Sequence, residues 1–200
     1  MNHVSTVPAS PSTSHDPQHD SPDSMDGRPS PWLGLPDDSA AMYVGCLRAW
    51  NSGQLHGAWV ECDDVDAVKL KINAMLAESP FKDASAWTVL DHQGFHGCTP
   101  KTVTTAVGLA GLIGEHGELA ALVMACCNND LARTRSRLTH SFCGIWSSMG
   151  DFAESVSDVT LVPKRFRGHI DFQSMGEAWT RAGEYTGYWL SDGRVGVISE

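Results

Sequence analysis

From residue 41 onward, apolar residues follow strand-like and helix-like periods in turn. Three short runs are rich in β-branched and aromatic residues, which predicts strands over 42–47, 58–62 and 87–91. Residues 48–57 are predicted to form a loop, because Asn and Gly punctuate them. Asp63 or Asp64 is expected to cap a helix over 64–77, in which apolar residues recur every three or four positions.

The middle of the chain has the helical period throughout. Apolar stripes predict helices over 104–113 and 119–126, and a further helix lined by Leu131, Leu138 and Phe142. The Gly-containing stretch 114–117 is expected to separate the first two helices.

Residues 142–156 combine an aromatic lead-in, a break at Ser147 and a short amphipathic helix. Ser148 and Asp151 have capping-box spacing, so a helix is expected to start there. The predicted helix has an apolar side and a polar side. The apolar side is Phe152, Ala153 and Val156, and the polar side is Asp151, Glu154 and Ser155.

The C-terminal pattern predicts a helix over 171–181 and two strands, 185–190 and 195–199, joined by a Ser-Asp-Gly-Arg hairpin. The fold class is therefore α+β. We predict three small subdomains in tandem, after a disordered tail over 1–40 that is rich in Ser, Pro and Asp. The subdomains are an N-terminal α+β unit over 41–98, a helical unit over 99–141 and a C-terminal α+β unit over 142–200.

Charge favours a soluble acidic protein over a nucleic-acid binder. The chain has 24 acidic and 14 basic residues, a formal net charge of -10. Residues 1–40 hold six Asp and one Arg, a balance of -5, and the remaining 18 acids and 13 bases give another -5. The folded part is therefore only mildly acidic. Two basic clusters, 133–137 and 164–167, are interpreted as solvated faces or as partners of the acidic surface.

No pattern predicts an enzyme, a cofactor or a metal site. The loop containing His92, His96 and Cys98 lacks a second ligand pair at matching spacing, which favours a structural role. Six cysteines without a CxxC pair are expected to be reduced thiols in the cytoplasm. There is no signal-peptide pattern at the N-terminus, and the uncharged run 102–114 is too short to span a membrane.

The order of several short motifs resembles the ArdA family of antirestriction proteins over residues 41–200. The motifs are Tyr43-Val-Gly, Asn51-Ser-Gly, Gly57-Ala-Trp59, Asp91-x-x-Gly94-Phe95, Gly144-x-Trp146-x-Ser148-x-x-Asp151-Phe152-Ala153-Glu154, and Ile170-Asp-Phe172, followed by the C-terminal hairpin.

The resemblance implies an elongated, curved homodimer that imitates bent B-form DNA. Such a protein would occupy the DNA-binding groove of a type I restriction-modification enzyme, at its specificity and methyltransferase core. It would protect mobile DNA on entry without catalysing a reaction, and would itself bind neither nucleic acid nor membrane. Its carboxylates would stand where DNA has phosphates.

The carboxylates expected to form this acidic surface are Glu61, Asp63, Asp64, Asp66, Asp91, Glu115, Glu118, Asp151, Glu154, Asp158, Asp171, Glu177 and Glu184. The expected scaffold of the antirestriction motif, which is also a candidate dimer contact, is Phe142, Gly144, Trp146, Ser148, Phe152 and Ala153.

This sequence departs from the family pattern at positions where an acid is common, namely Gln93, Ile145, Met149, Gly150 and Ser155. The alternative hypothesis is therefore an interaction or regulatory protein with the ArdA fold and a different target. The arginine-rich helix 133–137 also favours this alternative.

Overall fold

The computed structural model describes residues 39–200. The predicted disordered tail lies outside the described residues, apart from its last two positions. Within the described part, no helix is long and apolar enough to cross a membrane. The mixed architecture of helices with two small antiparallel sheets agrees with the predicted class, whereas the tandem arrangement and the subdomain boundaries stay predictions.

The first sheet contains three antiparallel strands in the order β2-β1-β3. They are β1 (Ala41–Cys46), β2 (Gly57–Glu61) and β3 (Trp87–Gln93), as the strand pattern predicted. Helix α2 (Val65–Ala77) packs on this sheet, and Asp64 caps it by accepting hydrogen bonds from two backbone N–H groups at 2.9 Å. The predicted helix and its cap are confirmed.

The prediction of a loop over 48–57 is wrong for its first residues, because helix α1 (Leu47–Asn51) occupies them. Ala49 of α1 is fully buried in the core below the first sheet, and this tertiary contact stabilises a helix too short to form alone. Trp50, the next residue of α1, is 53% exposed.

Three helices follow, α3 (Val103–His116), α4 (Glu118–Cys126) and α5 (Leu131–His140). Two details differ from expectation. Gly114 does not break α3, which continues to His116 and ends at Gly117, where φ is +60°. Phe142 is not helical, since α5 ends at His140 and Phe142 pairs with Ile198 in a sheet.

The second sheet has three antiparallel strands in the order β4-β6-β5. Its strands and the helices inserted between them are β4 (Phe142–Trp146), α6 (Met149–Val156), α7 (Phe172–Ala182), β5 (Tyr185–Trp189) and β6 (Val195–Ser199). Two short 3-10 turns, Val159–Leu161 and Lys164–His169, connect α6 to α7. The C-terminal hairpin is confirmed, and α7 ends at Gly183, which is left-handed (φ +74°).

Buried apolar residues form three clusters. The first cluster joins the first sheet to α2, α3 and α4, and so includes Val103 and Met124 beyond the predicted boundary at residue 98. The second lies between α4, α5 and one face of the second sheet, and the third lies between the other face of that sheet and α6. The second sheet is therefore covered on both faces.

Substitution by alanine should change the free energy of unfolding in opposite directions at two helical glycines. At Gly176 in α7 the new methyl group would clash with the backbone oxygen of Met149 in α6, whereas at Gly114 in α3 it would meet nothing within 4 Å. Gly176→Ala should lower the free energy of unfolding by about 1–3 kcal/mol through overpacking. Gly114→Ala should raise it by up to ~1 kcal/mol. Urea unfolding measures both, and the same sign for both would contradict the close approach of α6 and α7.

Candidate functional site

The candidate site centres on the turn between β4 and α6. The Oγ of Ser148 accepts a hydrogen bond from the N–H of Asp151 at 3.0 Å, which confirms the predicted cap. The N–H of Gly150 donates to Oε1 of Gln173 in α7 at 3.1 Å. The first bond caps α6, and the second fixes its first turn to α7, so the acidic side of α6 has a defined orientation.

Phe152 anchors the buried side of α6. Its side chain is fully buried, and its ring centre lies 4.9 Å from Tyr185, 6.0 Å from Trp146 and 6.1 Å from Trp179. Tilted and edge-to-face rings at these distances attract one another beyond the effect of burial. Ala153 is fully buried beside Phe152.

Gly144 and Trp146 shape the strand that leads into this helix. Gly144 has a φ of +111°, which favours glycine, and the Nε1 of Trp146 donates to the oxygen of Cys143 at 3.1 Å. Phe142, in contrast, packs in the second cluster, with its ring 5.4 Å from that of His116. The motif scaffold therefore contributes to two cores on opposite faces of the second sheet.

One residue of the motif is not where the pattern predicted. Val156 was expected beside Phe152 and Ala153, but it is 52% exposed. The contacts between α6 and α7 involve Met149 and Gly150 in the first turn, whereas Val156 is the last residue of α6. The final turn of α6 therefore leaves an apolar side chain in solvent.

All thirteen predicted carboxylates reach solvent. Three of them are half-buried, namely Glu61, Asp91 and Glu118. The other ten are exposed, namely Asp63, Asp64, Asp66, Glu115, Asp151, Glu154, Asp158, Asp171, Glu177 and Glu184. They fall into four groups along the chain.

The first group surrounds the start of α2 and the edge of the first sheet. The N–H groups of Ala67 and Asp66 donate to Asp64 and lower the pKa of its carboxyl. Glu61 lies 4.0 Å from Lys71 and Asp66 lies 3.5 Å from Lys69, both on the surface, where such pairs contribute little. The rest of the group is Asp63, at the start of α2, and Asp91, on β3.

The second group lies on either side of Gly117. Glu118 accepts hydrogen bonds from the N–H and the hydroxyl of Ser191 at 2.8 and 2.7 Å, which lower the pKa of its carboxyl. This contact joins α4 to the C-terminal hairpin. Glu115 lies 3.8 Å from the ring of His116.

The third group belongs to α6 and the turn after it. Among the described residues, neither Asp151 nor Glu154 forms an ion pair with a base. Asp158 accepts hydrogen bonds from the hydroxyl and N–H of Thr160, which lower the pKa of its carboxyl. Negative charge therefore continues beyond the end of the helix.

The fourth group lies on and after α7. Asp171 caps the helix, and the N–H and hydroxyl of Ser174 lower the pKa of its carboxyl. Glu177 accepts a hydrogen bond from Gln173 at 2.9 Å. Glu184 follows the helix directly and is exposed.

Comparison with known proteins decides the family. The sequence model of the family described as "Antirestriction protein (ArdA)" matches residues 42–190, which is well over half of the 200-residue chain. The chain belongs to the ArdA family. The match covers every described helix and all strands except β6. A comparison with curated proteins gave no match.

Five further carboxylates of this ArdA-family protein were not predicted as surface acids, and all are exposed. Three of them pair with arginines: Asp83 with Arg48 at 3.4 Å, Asp192 with Arg194 at 2.7 Å, and Glu200 with Arg137. The other two are Asp130, which caps α5, and Glu78. Of these three pairs, only Asp192 with Arg194 could have been predicted from the sequence, since both residues belong to the hairpin turn.

The His/Cys loop is held by backbone contacts. The Nε2 of His92 lies 2.8 Å from the oxygen of Pro100, and the Sγ of Cys98 donates to the oxygen of Ala121 at 3.4 Å. Burial raises the pKa of the Cys98 thiol, which keeps it protonated and unreactive. No group of three or more metal-capable residues occurs in the part of the chain that the structure describes.

The two basic clusters have different surroundings. Arg137 pairs with Glu200, whereas Arg133 and Arg135 are exposed on α5. Arg167 donates to the oxygens of Val162 and Thr160 and so braces its own loop. The neighbouring Lys164 and Arg165 are exposed, and the latter lies over the ring of Phe166 at 4.8 Å.

Removal of the Ser148 cap should weaken the motif locally. Ser148→Ala is expected to lower the free energy of unfolding by about 1 kcal/mol, because the N–H of Asp151 loses its partner. Ser147→Ala, next to it and exposed, should change it by less than about 0.5 kcal/mol. Thermal unfolding of both variants measures the difference, and equal values would mean that the cap does not contribute.

Proposed function

We propose that this ArdA-family protein is a non-enzymatic DNA mimic that occupies the DNA-binding groove of type I restriction-modification enzymes. The observation that supports the proposal is the exposure of the thirteen predicted carboxylates. All of them reach solvent, and none pairs with an arginine among residues 39–200, although Glu61 and Asp66 lie near surface lysines. The arginine pairs instead involve carboxylates outside that set. The set therefore retains its negative charge at the surface.

Electrostatics supports competition with DNA. Enzymes bind DNA through Lys and Arg side chains that face phosphates, and the affinity falls steeply as the salt concentration rises. Rigidly mounted carboxylates can occupy the same side chains, and long-range attraction accelerates the encounter. Hydrogen bonds lower the pKa of Asp64, Glu118, Asp158 and Asp171, so these four carboxyls stay ionised at neutral pH.

Part of the apparent loss of acidity has a structural reason. Met149 and Gly150, two of the positions where family members often carry acids, are buried here. Gly150 lies against Gln173 of α7, so an acid at that position would have to displace α7. The losses that affect the surface are at Ile145, which is 36% exposed, at the exposed Ser155 and at the half-buried Gln93. The proposed acidic surface has therefore lost fewer carboxylates than the number of departing positions indicates.

The protein is proposed to act as a homodimer in the cytoplasm. Support for a second copy comes from three exposed apolar side chains within residues 156–166, which we call the apolar patch: Val156, Leu161 and Phe166, with exposures of 52%, 83% and 49%. Three large apolar residues this exposed on one short segment are typical of an interaction surface.

Leu161→Asp is expected to dissociate the dimer, because the contact would have to bury an unpaired carboxylate at a cost of about 2–3 kcal/mol or more. Light scattering after size exclusion measures the mass. Leu70→Asp is the matched control, since Leu70 is 71% exposed on α2, away from the patch. A monomeric wild-type protein, or a Leu161→Asp variant that stays dimeric, would contradict this contact.

The second candidate function is binding of a different target by the same fold. The exposed bases Lys164 and Arg165 favour it, because they lie close in sequence to the apolar patch and pair with no carboxylate among the described residues. Exposed bases would be repelled by a positively charged DNA-binding groove. Lys164 and Arg165 are therefore better explained by a target that carries negative charge.

Titration of the protein into a type I restriction-modification enzyme separates the two functions. DNA cleavage should be inhibited at low salt, and inhibition should fade as salt rises. Absence of inhibition at low salt and large excess would reject DNA mimicry and leave the second candidate.

A further inference from the structure

Both faces of the second sheet are covered, by α4 and α5 on one side and by α6 on the other. Its strand order β4-β6-β5 places β4 and β5 at the edges. An edge strand has a row of backbone N–H and C=O groups without a strand partner, and proteins commonly protect such a row with a bulge. The two edges of this sheet differ in that respect.

Strand β4 is irregular along its length. Its pairing with β6 shifts between Phe142 and Gly144, so one residue is out of register. The oxygen of Cys143, which lies at this shift, accepts a hydrogen bond from the Nε1 of Trp146 at 3.1 Å. A bulge bends a strand and interrupts its row of backbone groups. This edge is therefore poorly suited to pairing with another strand.

Strand β5 is regular from end to end. All of its residues pair with β6 in unbroken register, from Tyr185 opposite Ser199 to Trp189 opposite Val195. Its sequence contains no proline and no lysine, the residues that often protect an edge. Among residues 39–200, no strand pairs with its other side. This edge therefore has the form that accepts an additional strand.

Hydrogen bonds at the two ends of β5 show which of its residues bond to β6. The N–H of Leu190 donates to the oxygen of Arg194 at 2.8 Å, and the N–H of Glu200 donates to the oxygen of Glu184 at 3.0 Å. Hydrogen-bonded and non-bonded pairs alternate along an antiparallel ladder. In this register, residues 184, 186, 188 and 190 therefore bond to β6.

The alternate residues Tyr185, Gly187 and Trp189 direct their backbone N–H and C=O groups away from β6. In the part of the chain that the structure describes, no hydrogen bond to these groups occurs outside the sheet. Tyr185 and Gly187 are half-buried and Trp189 is 59% exposed, so solvent reaches the edge. Donors and acceptors at this two-residue spacing match the backbone of an extended peptide.

A cleft of about 330 Å³ adjoins Trp189. Alternation along β5 places Trp189 on the same face as Tyr185, whose ring centre lies 4.9 Å from that of Phe152 in α6. The charged residues of the cleft, Glu177 and Arg181, have opposite signs, so an uncharged side chain is the favoured occupant. The lining residues are Met149, Gln173, Glu177, Thr180, Arg181 and Trp189.

We propose that β5 binds an extended segment of a partner protein as an additional strand of the second sheet, with an apolar side chain of that segment in the cleft. A strand at this edge directs every second side chain to the face where the cleft lies. Main-chain hydrogen bonds supply the affinity, and the cleft selects segments with apolar residues at alternate positions. The inference does not depend on the proposed function, because strand addition requires backbone groups rather than surface charge.

Amide hydrogen exchange of the full chain, followed by NMR, tests the proposal. The probe is an acetylated and amidated peptide of alternating threonine and leucine. An excess of this peptide should slow exchange at Tyr185, Gly187 and Trp189 about tenfold, which is the effect of one hydrogen bond of typical net strength. Thr186 and Tyr188 already bond to β6, so their exchange is the internal reference and should not change.

Two N-methylated forms of the peptide are the matched controls. One form is methylated at every leucine nitrogen and the other at every threonine nitrogen, so each lacks the N–H groups of one edge. Only one edge of an extended peptide can face β5. One methylated form should therefore lose the protection, and the other should keep it.

A substitution in the protein tests the cleft separately. Trp189→Ala should weaken binding of the peptide about tenfold, because an aromatic side chain in a contact often contributes this much. Trp50→Ala is the control, since Trp50 is 53% exposed on α1 and should leave the affinity unchanged. Both tryptophans are exposed, so both variants should remain folded, which circular dichroism measures.

Three results would overturn the proposal. The first is unchanged exchange at Tyr185, Gly187 and Trp189 in excess peptide. The second is equal protection by both methylated peptides, which would mean a contact without strand pairing. The third is protection that develops without peptide as the protein concentration rises, which would assign this edge to a second copy of the chain.

Discussion

Phe152→Ala is expected to lower the free energy of unfolding by about 3–5 kcal/mol, the largest stability effect of any change considered. Phe152 is fully buried and contacts three aromatic rings from β4, α7 and β5. Alanine would leave a cavity that these large rings cannot fill, because each is held by its own strand or helix. The loss is a large part of the ~5–15 kcal/mol that stabilises a typical domain.

Urea unfolding followed by far-UV circular dichroism measures this loss. Trp50→Ala is the matched control, since it also removes an aromatic ring, but one that is 53% exposed on α1. Its effect should be below about 1 kcal/mol. If the two variants lost the same stability, Phe152 could not be the anchor that holds α6 against the second sheet.

Neutralisation of unpaired surface acids is expected to have the largest effect on inhibition. Asp151→Asn, Glu154→Gln and Glu184→Gln together remove three negative charges that pair with no base among the described residues. Affinity for the enzyme should fall about tenfold to a hundredfold, as is usual when several charged contacts are lost from a salt-sensitive interface. Inhibition curves at fixed low salt measure the change.

The control removes the same amount of charge at different places. Asp83→Asn, Asp192→Asn and Glu200→Gln neutralise the carboxylates that pair with Arg48, Arg194 and Arg137. Under the proposed function, this variant should inhibit more strongly than the first triple variant. Equal inhibition by both would mean that net charge alone matters, and that no acidic surface has been defined.

Helix caps and the C-terminal hairpin could be predicted because their signals are local. The Ser148 cap, the Asp64 cap and the 191–194 hairpin each depend on side chains within a few positions of the backbone groups they contact. The same reasoning failed for α1, which depends on burial of Ala49 against a distant part of the core. It also failed for Phe142, which was predicted to be helical. Its strand partner Ile198 is 56 positions away, and helical spacing gives no information on such a distant pairing.

The candidate site was predictable in outline but not in its electrostatics. Exposure of the acids was expected from their polar character, and ten of the thirteen are exposed while three are half-buried. The pairing of Glu200 with Arg137 joins residues 63 positions apart, so no sequence spacing could indicate it. Burial of Met149 and Gly150 likewise depends on where α7 packs. These long-range contacts decide which carboxylates remain free to face a partner.

Under the proposed function the protein and DNA compete for one groove, and a displacement assay measures this competition. A fluorescent duplex with the recognition sequence is bound to a type I restriction-modification enzyme, and its release is followed as the protein is added. Complete displacement is expected, with an apparent affinity that falls about a thousandfold between roughly 50 and 200 mM salt. A complex in which the enzyme holds the protein and the duplex together would contradict it.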